Sequence, residues 1–138
     1  MTTIVVTAAV IERSGRFLVT KRQDGAHLAG YWEFPGGKCH PGEGLAGCMA
    51  RELREELDVD VEVGDELLST THDYPDRRVE LHFLRCALLS EPSPRLGQDM
   101  RWVARRDLTS LEFPPADTEL IRMLTRQSQE SGVRSYEL

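Results

Sequence analysis

The sequence has no basic excess, no long apolar run and little cysteine, and each shortage narrows what the chain can be. Against 23 Asp and Glu stand 17 Lys and Arg, a formal net charge of −6, so the basic stripe that tracks a nucleic-acid backbone is missing. No stretch approaches the roughly 20 apolar residues needed to cross a bilayer. The opening Met1-Thr2-Thr3-Ile4-Val5-Val6 lacks the basic n-region of a secretory signal, and a cytoplasmic address is the default expectation. The three cysteines, Cys39, Cys48 and Cys86, form no close-spaced ligand pair and are odd in number, which argues against a disulfide framework. With 138 residues, 40% of them apolar and 29% charged, the chain is expected to form one domain over 1–138, its polar end from about 127 frayed. No repeat or linker divides it, and nothing in it bears on oligomeric state.

What is present centres on Gly36-Gly37-Lys38-Cys39-His40-Pro41-Gly42-Glu43 and the helical run ending in Arg51-Glu52-Leu53-Arg54-Glu55-Glu56-Leu57. At about 3.6 residues per turn, Glu52, Glu55 and Glu56 stand at i, i+3 and i+4 and project from one patch. The patch repels itself without a counter-ion. It follows a glycine-rich turn, which permits positive φ and close approach of a ligand. Carboxylate oxygens without competing soft ligands suit a hard cation, Mg²⁺ or Mn²⁺, that bridges to phosphate. Such a cation also lets an acidic protein bind a triphosphate. The pattern reads as a metal platform for a phosphorylated substrate. Leu45, Met49, Leu53 and Leu57 form the apolar stripe that would bury the helix and keep the carboxylates aimed. Glu43 is placed to favour the helix N-terminus and to orient Arg51.

Taken in order, Thr3 to Ile11 and Phe17 to Thr20 predict two strands joined by a short turn. Residues 23–30 predict a loop carrying His27, a substrate candidate, and Arg22 before it offers a fork of donors to phosphate or base. Tyr31 to Pro35 predicts a short strand, with an aromatic such as Phe34 available to stack on a nucleobase. Val59 to Val63 and Val79 to Ala87 alternate as half-buried strands do, with a turn at Tyr74 to Arg78; His82 is expected to face away from the core. Met100 to Ala104 predicts a last strand anchored by Trp102. Proline at 114 and 115 predicts a helix start, followed by the stripe Leu120, Ile121 and Leu124. A helix inserted between strands implies a mixed α/β sandwich.

From Gly37 to Val59 the chain resembles the Nudix box: glycine, five residues, Glu43, seven residues, Arg51-Glu52-Leu53, one residue, Glu55-Glu56, and aliphatic Val59. It departs at Asp58, where the family usually has glycine, a change expected to cost about 1 kcal/mol without losing the site. The resemblance implies the Nudix fold, an α/β architecture with a mixed β-sheet between helices, and Mg²⁺-dependent hydrolysis of nucleoside diphosphate linkages. Carried over, Glu52, Glu55 and Glu56 become metal ligands, with the Gly37 carbonyl a further one. Arg51, Glu52 and Glu55 belong to the catalytic group; Glu52 is the first choice of base, with Asp99 from a late loop behind it.

The flanks resemble the MutT branch, which removes oxidised guanine nucleotides, at Thr20-Lys21-Arg22, Ala26-His27, Glu33-Phe34-Pro35-Gly36-Gly37-Lys38, Tyr74-Pro75-Asp76-Arg77 and Phe113-Pro114-Pro115-Ala116. Arg22, His27, Phe34, Lys38, Asp76 and Asp117 are thereby candidates for holding a nucleoside triphosphate. MutT-like proteins carry asparagine where this chain has Asp117, and an aspartate after Pro-Ala also resembles the CTP pyrophosphohydrolase branch. Asn donates and accepts, whereas ionised Asp only accepts. That change weighs against 8-oxoguanine, but the Asp76-Arg77 turn and the Phe113-Pro114-Pro115 motif favour the MutT side, so oxidised guanine nucleotides stand first and cytidine nucleotides second. A nucleotide sensor without turnover is a third reading, which usually requires a damaged box; every carboxylate of this one is present.

Overall fold

The computed structural model describes residues 2–26 and 28–126; the expectations for His27 and for the tail 127–138 lie outside them. The β-branched run at the start forms β1 (Thr2–Val10), and a brief β2 (Glu12–Arg13) turns into β3 (Arg16–Lys21). Two short strands follow, β4 (Trp32–Glu33) and β5 (Gly36–Lys38), then α1 (Leu45–Leu57), β6 (Val61–Asp73), β7 (Arg77–Leu88) and β8 (Met100–Ala104). Short 3-10 turns at Arg105–Ser110 and Pro115–Asp117 lead into a helix over 118–126.

One sheet has the order β5-β1-β7-β6. It is mixed: β1 runs parallel to β7, while β5 and β6 are antiparallel to their neighbours. The second sheet is built on β3, which pairs antiparallel with β2, β4 and β8. Ala8, Val10 and Phe83 on one face of the first sheet join Phe17 and Val19 of the second, together with Leu120 and Leu124 of the last helix. Ala9, Ile11, Leu84 and Cys86 on the other face meet Met49, Leu53 and Leu57 of α1. The expected mixed sheet between helices is therefore present.

Successive residues of a strand point to opposite faces, so covering both faces buries Phe83 and Leu84 alike. The half-buried strand expected at Val79 to Ala87 is corrected on this point. His82 is corrected with it: its side chain is 17% exposed and lies between Glu66, which its Nδ1 meets, and Glu80. The strand expected at Val59 to Val63 begins later and runs on to Asp73. This sheet-edge strand, mostly exposed and shifted in register between Val63 and Leu68, has no continuous buried face to imprint a period on the sequence. Trp102 is half-buried under the Arg13 guanidinium, 4.2 Å from its ring centre, and Val103 is the buried residue of that strand.

The stripe of α1 is as expected, with Met49, Leu53 and Leu57 fully buried, each contributing about 2 kcal/mol. Cys48 is buried beside them and is bonded to Cys39, their Cα atoms 5.2 Å apart. This overturns the argument from an odd count: Cys86 is the free cysteine, buried in the core with its thiol pushed up to about 12 by burial. The connection from β5 to α1 folds the other two together. At the helix end Asp58 is left-handed, φ 50° and ψ 44°, and its N–H donates to the Arg54 carbonyl at 3.1 Å. Because glycine takes this conformation without a Cβ penalty, Asp58→Gly is expected to raise unfolding free energy by about 1 kcal/mol, checked by urea denaturation.

Candidate active site

Gly36 and Gly37 lie in a strand, and their missing side chains serve close approach rather than positive φ. A Cβ on Gly36 would fall on the Thr7 carbonyl, and one on Gly37 would fall on the Glu52 carboxylate. β5 is thereby pressed between β1 and α1. The positive φ belongs to Gly42, at +80° in the loop that follows. The Gly36 N–H donates to Glu56 at 3.2 Å, so the glycine strand grips one helix carboxylate directly.

Arg51 ties loop and helix together. Its Nε and Nη2 donate to the two oxygens of Glu43 at 2.8 and 2.9 Å, and Nη2 also to the Lys38 carbonyl at 3.0 Å. Nη1 donates to Glu52 at 3.0 Å and Glu55 at 3.2 Å. The bonds from Arg51 and from the His40 N–H pull the Glu43 carboxyl down to about 2 and raise the arginine. Glu43 does orient Arg51, as expected, and its carboxylate lies outside the first helical turn, which holds no acid. Glu52 is mostly covered and Glu55 mostly exposed, at 18% and 60%.

Glu56 sits deeper. Burial, and then the charge of Glu33, push its carboxyl up to about 8; Glu52 adds to the rise, while the Gly36 N–H and the Thr20 hydroxyl oppose it. The geometry at Thr20 is not that of a hydrogen bond, and its hydroxyl is left buried without a partner. A buried carboxylate among acids beside an orphaned hydroxyl fits a divalent cation, whose charge reverses the penalty on ionisation. Hard oxygen donors from Glu52, Glu55, Glu56 and the Gly37 carbonyl match Mg²⁺ or Mn²⁺.

Glu33, for which sequence reasoning assigned no role, joins this cluster to a cleft. It faces Arg22, whose Nη1 donates to it at 2.7 Å, and burial raises its carboxyl against the lowering effect of that arginine. Its signal was an acid inside an aromatic strand, between Trp32 and Phe34. The cleft, about 370 Å³, is lined by Arg22, Glu33, Phe34, Gly37, Lys38 and Asp117 among others. Phe34 stacks on Phe113 with ring centres 5.3 Å apart and is thus fixed as a wall. Asp117 is 6% exposed, and burial, followed by the charge of Glu33, pushes its carboxyl up to about 7.

The late loop brings two neighbouring residues to the site's edge, one of them the expected Asp99. Asp99 is exposed, whereas Gln98 is buried and shares a small hollow with Lys21, Arg22, Glu33 and Glu56. The Gln98 amide donates to the Glu56 carbonyl at 3.5 Å and accepts from the Leu96 N–H at 3.0 Å. Asp99 lines a neighbouring hollow with Lys21 and Arg22. Asp76 is exposed in the β6–β7 turn and lines neither the cleft nor these hollows.

Residues 6–123 match the model of the NUDIX domain family. The chain is 42% identical over 82 residues to a CTP pyrophosphohydrolase of Escherichia coli, covering 59% of this chain and 61% of that one. It is 34% identical over 128 residues to an 8-oxo-dGTP diphosphatase of Haemophilus influenzae, covering 91% and 93%. The solution structure of the E. coli ORF135 protein is similar with a TM-score of 0.80 and 32% identity, covering 88% of each chain.

The Glu56 carboxyl has a higher pKa folded than unfolded, so the folded chain retains a proton that the unfolded chain releases between pH 4.5 and about 8. Stability falls as pH rises through that window. In EDTA at pH 8.5, Glu56→Gln is expected to melt about 3–5 °C above the wild type, with the gap closing toward pH 5. Calorimetric melts at the two pH values check it.

Proposed function

The chain belongs to the NUDIX domain family, and from that premise we propose that it is a Mg²⁺-dependent pyrophosphohydrolase of nucleoside triphosphates, with oxidised guanine nucleotides as its first substrates. The observation that carries this reading is the pair Glu52 and Glu56 held against the glycine strand, with Glu33 joining Glu56 to a cleft large enough for a base and sugar. Glu52, Glu55, Glu56 and the Gly37 carbonyl would hold the cation. Bound there, it would neutralise diphosphate charge and lower the pKa of water.

The chain's own groups do the rest. Arg51 holds Glu52 and Glu55 in place while Glu43 holds Arg51. Glu52 takes the proton of the attacking water in this assignment; the Gln98 amide has no basic site for it, and Asp99, its exposed neighbour, stands second. Arg22, which lines both the base cleft and the hollow beside Glu56, is placed to meet phosphate with its fork of donors. Lys38 stands exposed at the cleft edge as a second cation. Pyrophosphate and a nucleoside monophosphate leave.

Base choice turns on Asp117. With its carboxyl at about 7, the group is largely neutral below that pH and both donates and accepts, as an amide does; above it, it only accepts. The neutral form suits an oxidised guanine, and most of the similar diphosphatases, including that of H. influenzae, are named for 8-oxo-dGTP. Cytidine nucleotides are the second reading, favoured by the ionised form, which accepts from an exocyclic amine, and by the likeness to a CTP pyrophosphohydrolase.

Glu55→Gln and Glu56→Gln are each expected to lower kcat at least ~100-fold with the fold intact, measured as pyrophosphate release in Mg²⁺ alongside a circular dichroism melt. Near-normal turnover by both would sink the metal assignment, and triphosphate binding without any monophosphate would leave a sensor rather than an enzyme. The kcat/KM ratio of 8-oxo-dGTP to CTP cancels effects common to both substrates. It is expected to fall about tenfold from pH 6 to pH 8 in the wild type, and to stay level in Asp117→Asn. A level ratio in the wild type would show that Asp117 does not read the base.

A further inference from the structure

The bond between Cys39 and Cys48 closes the very loop that joins the glycine strand to the carboxylate helix. Cys39 leaves β5 directly after Lys38, with its N–H donating to the Val5 carbonyl at 2.8 Å. Cys48 lies in the first turns of α1, fully buried, with its Sγ 4.0 Å from the Gly37 carbonyl oxygen and 3.4 Å from the Thr7 hydroxyl. The bond therefore clamps β5 to α1 at the point where the Gly37 backbone has no room to spare against Glu52. A second clamp, Glu43–Arg51–Lys38, spans the same loop, so the turn does not depend on the disulfide alone.

The two sulfurs differ in access. Cys48 is 0% exposed, whereas Cys39 is half-buried and lines an open cleft of about 660 Å³ with Lys38, His40 and His82. An attacking thiolate must reach one sulfur of a disulfide in line with the other, so access decides which is taken.

We propose that Cys39–Cys48 is a reversible dithiol–disulfide site, opened by attack of a dithiol reductant on Cys39, whose state sets how tightly the metal-binding turn is held. In the forward direction a reductant thiolate bonds to Cys39 Sγ and the Cys39–Cys48 bond breaks. Cys48 leaves as a thiolate and takes a proton. The second thiolate of the reductant then attacks its own sulfur in the mixed disulfide, releasing Cys39 as a thiolate that is protonated in turn. The reductant departs as a disulfide, two electrons having passed to the protein, and a disulfide oxidant of the same class reverses the sequence. Opening a loop of sequence separation 9 returns conformational freedom to the unfolded chain and removes one of two clamps on Gly37. The reduced protein stays folded on the Arg51 clamp while its carboxylates lose fixed register with the glycine strand.

The magnesium readout rests on the hydrolase reading; thiol count and melting temperature do not. Protein prepared without reductant and titrated with a thiol reagent in guanidinium is expected to show one thiol, Cys86, and after dithiothreitol three. Reduction is expected to lower Tm by about 5–10 °C and raise the Mg²⁺ concentration for half-maximal activity about tenfold. Oxidised dithiothreitol should restore both. Cys48→Ser should fix the reduced behaviour regardless of reductant, and Cys86→Ser should respond like the wild type. Three thiols before reduction would overturn the proposal. So would a reduction that leaves Tm unmoved, a response that persists in Cys48→Ser, or a Tm shift with no change in Mg²⁺ requirement, which would mark a bond of structure alone. If no substrate is turned over in either state, Mn²⁺ affinity by calorimetry replaces the activity readout, and equal affinity in both states overturns the proposal.

Discussion

The site depends on how near the backbone of Gly36 and Gly37 comes to its neighbours. With no Cβ at either position, a strand can lie between β1 on one side and the Glu52 carboxylate on the other. Two contacts of the site follow from that approach: the Gly36 N–H reaches Glu56, and the Gly37 carbonyl lies 4.0 Å from the Cys48 sulfur of the helix. Any side chain there must push β5 away from either β1 or α1, and interiors packed at crystal density do not absorb such a shift.

Charge is divided along the same line. On the loop side, the single Arg51 guanidinium bonds Glu43, Glu52 and Glu55, offsets part of their charge and draws them into one fan. On the cleft side, burial leaves Glu33, Glu56 and Asp117 raised, with Arg22 bonded to Glu33. Both halves keep an excess of carboxylates, and in the second burial adds to the demand for positive charge. That asymmetry is an ordinary consequence of mounting one helix so that one edge of its acidic face meets solvent and the other meets a sheet.

Much of this was legible in advance. The spacing of Glu52, Glu55 and Glu56 put them on one face, the leucine and methionine stripe told which face is buried, and Asp58 stood out where glycine is usual; each is a property of a few neighbouring residues. Glu33, Gln98 and the Cys39–Cys48 bond were not legible in the same way. Glu33 matters because β4 lies across from Glu56, and Gln98 because a loop more than forty residues beyond α1 turns it inward while Asp99 turns out. The long β6 was missed because an exposed edge strand takes its hydrogen bonds from a partner and leaves little hydrophobic pattern.

The divide is one of distance along the chain. Local periodicity, glycine placement and the order of charges on one helix settled the fold class and the carboxylate patch, because those rest on steric and electrostatic rules acting over a turn or two. Which acid is buried, which sulfurs meet and which loop residue faces the site were decided by strands and loops far apart in sequence. Burial and approach are properties of the packed whole: desolvation, which raises Glu56 and Asp117, exists only once the sheets have closed over them.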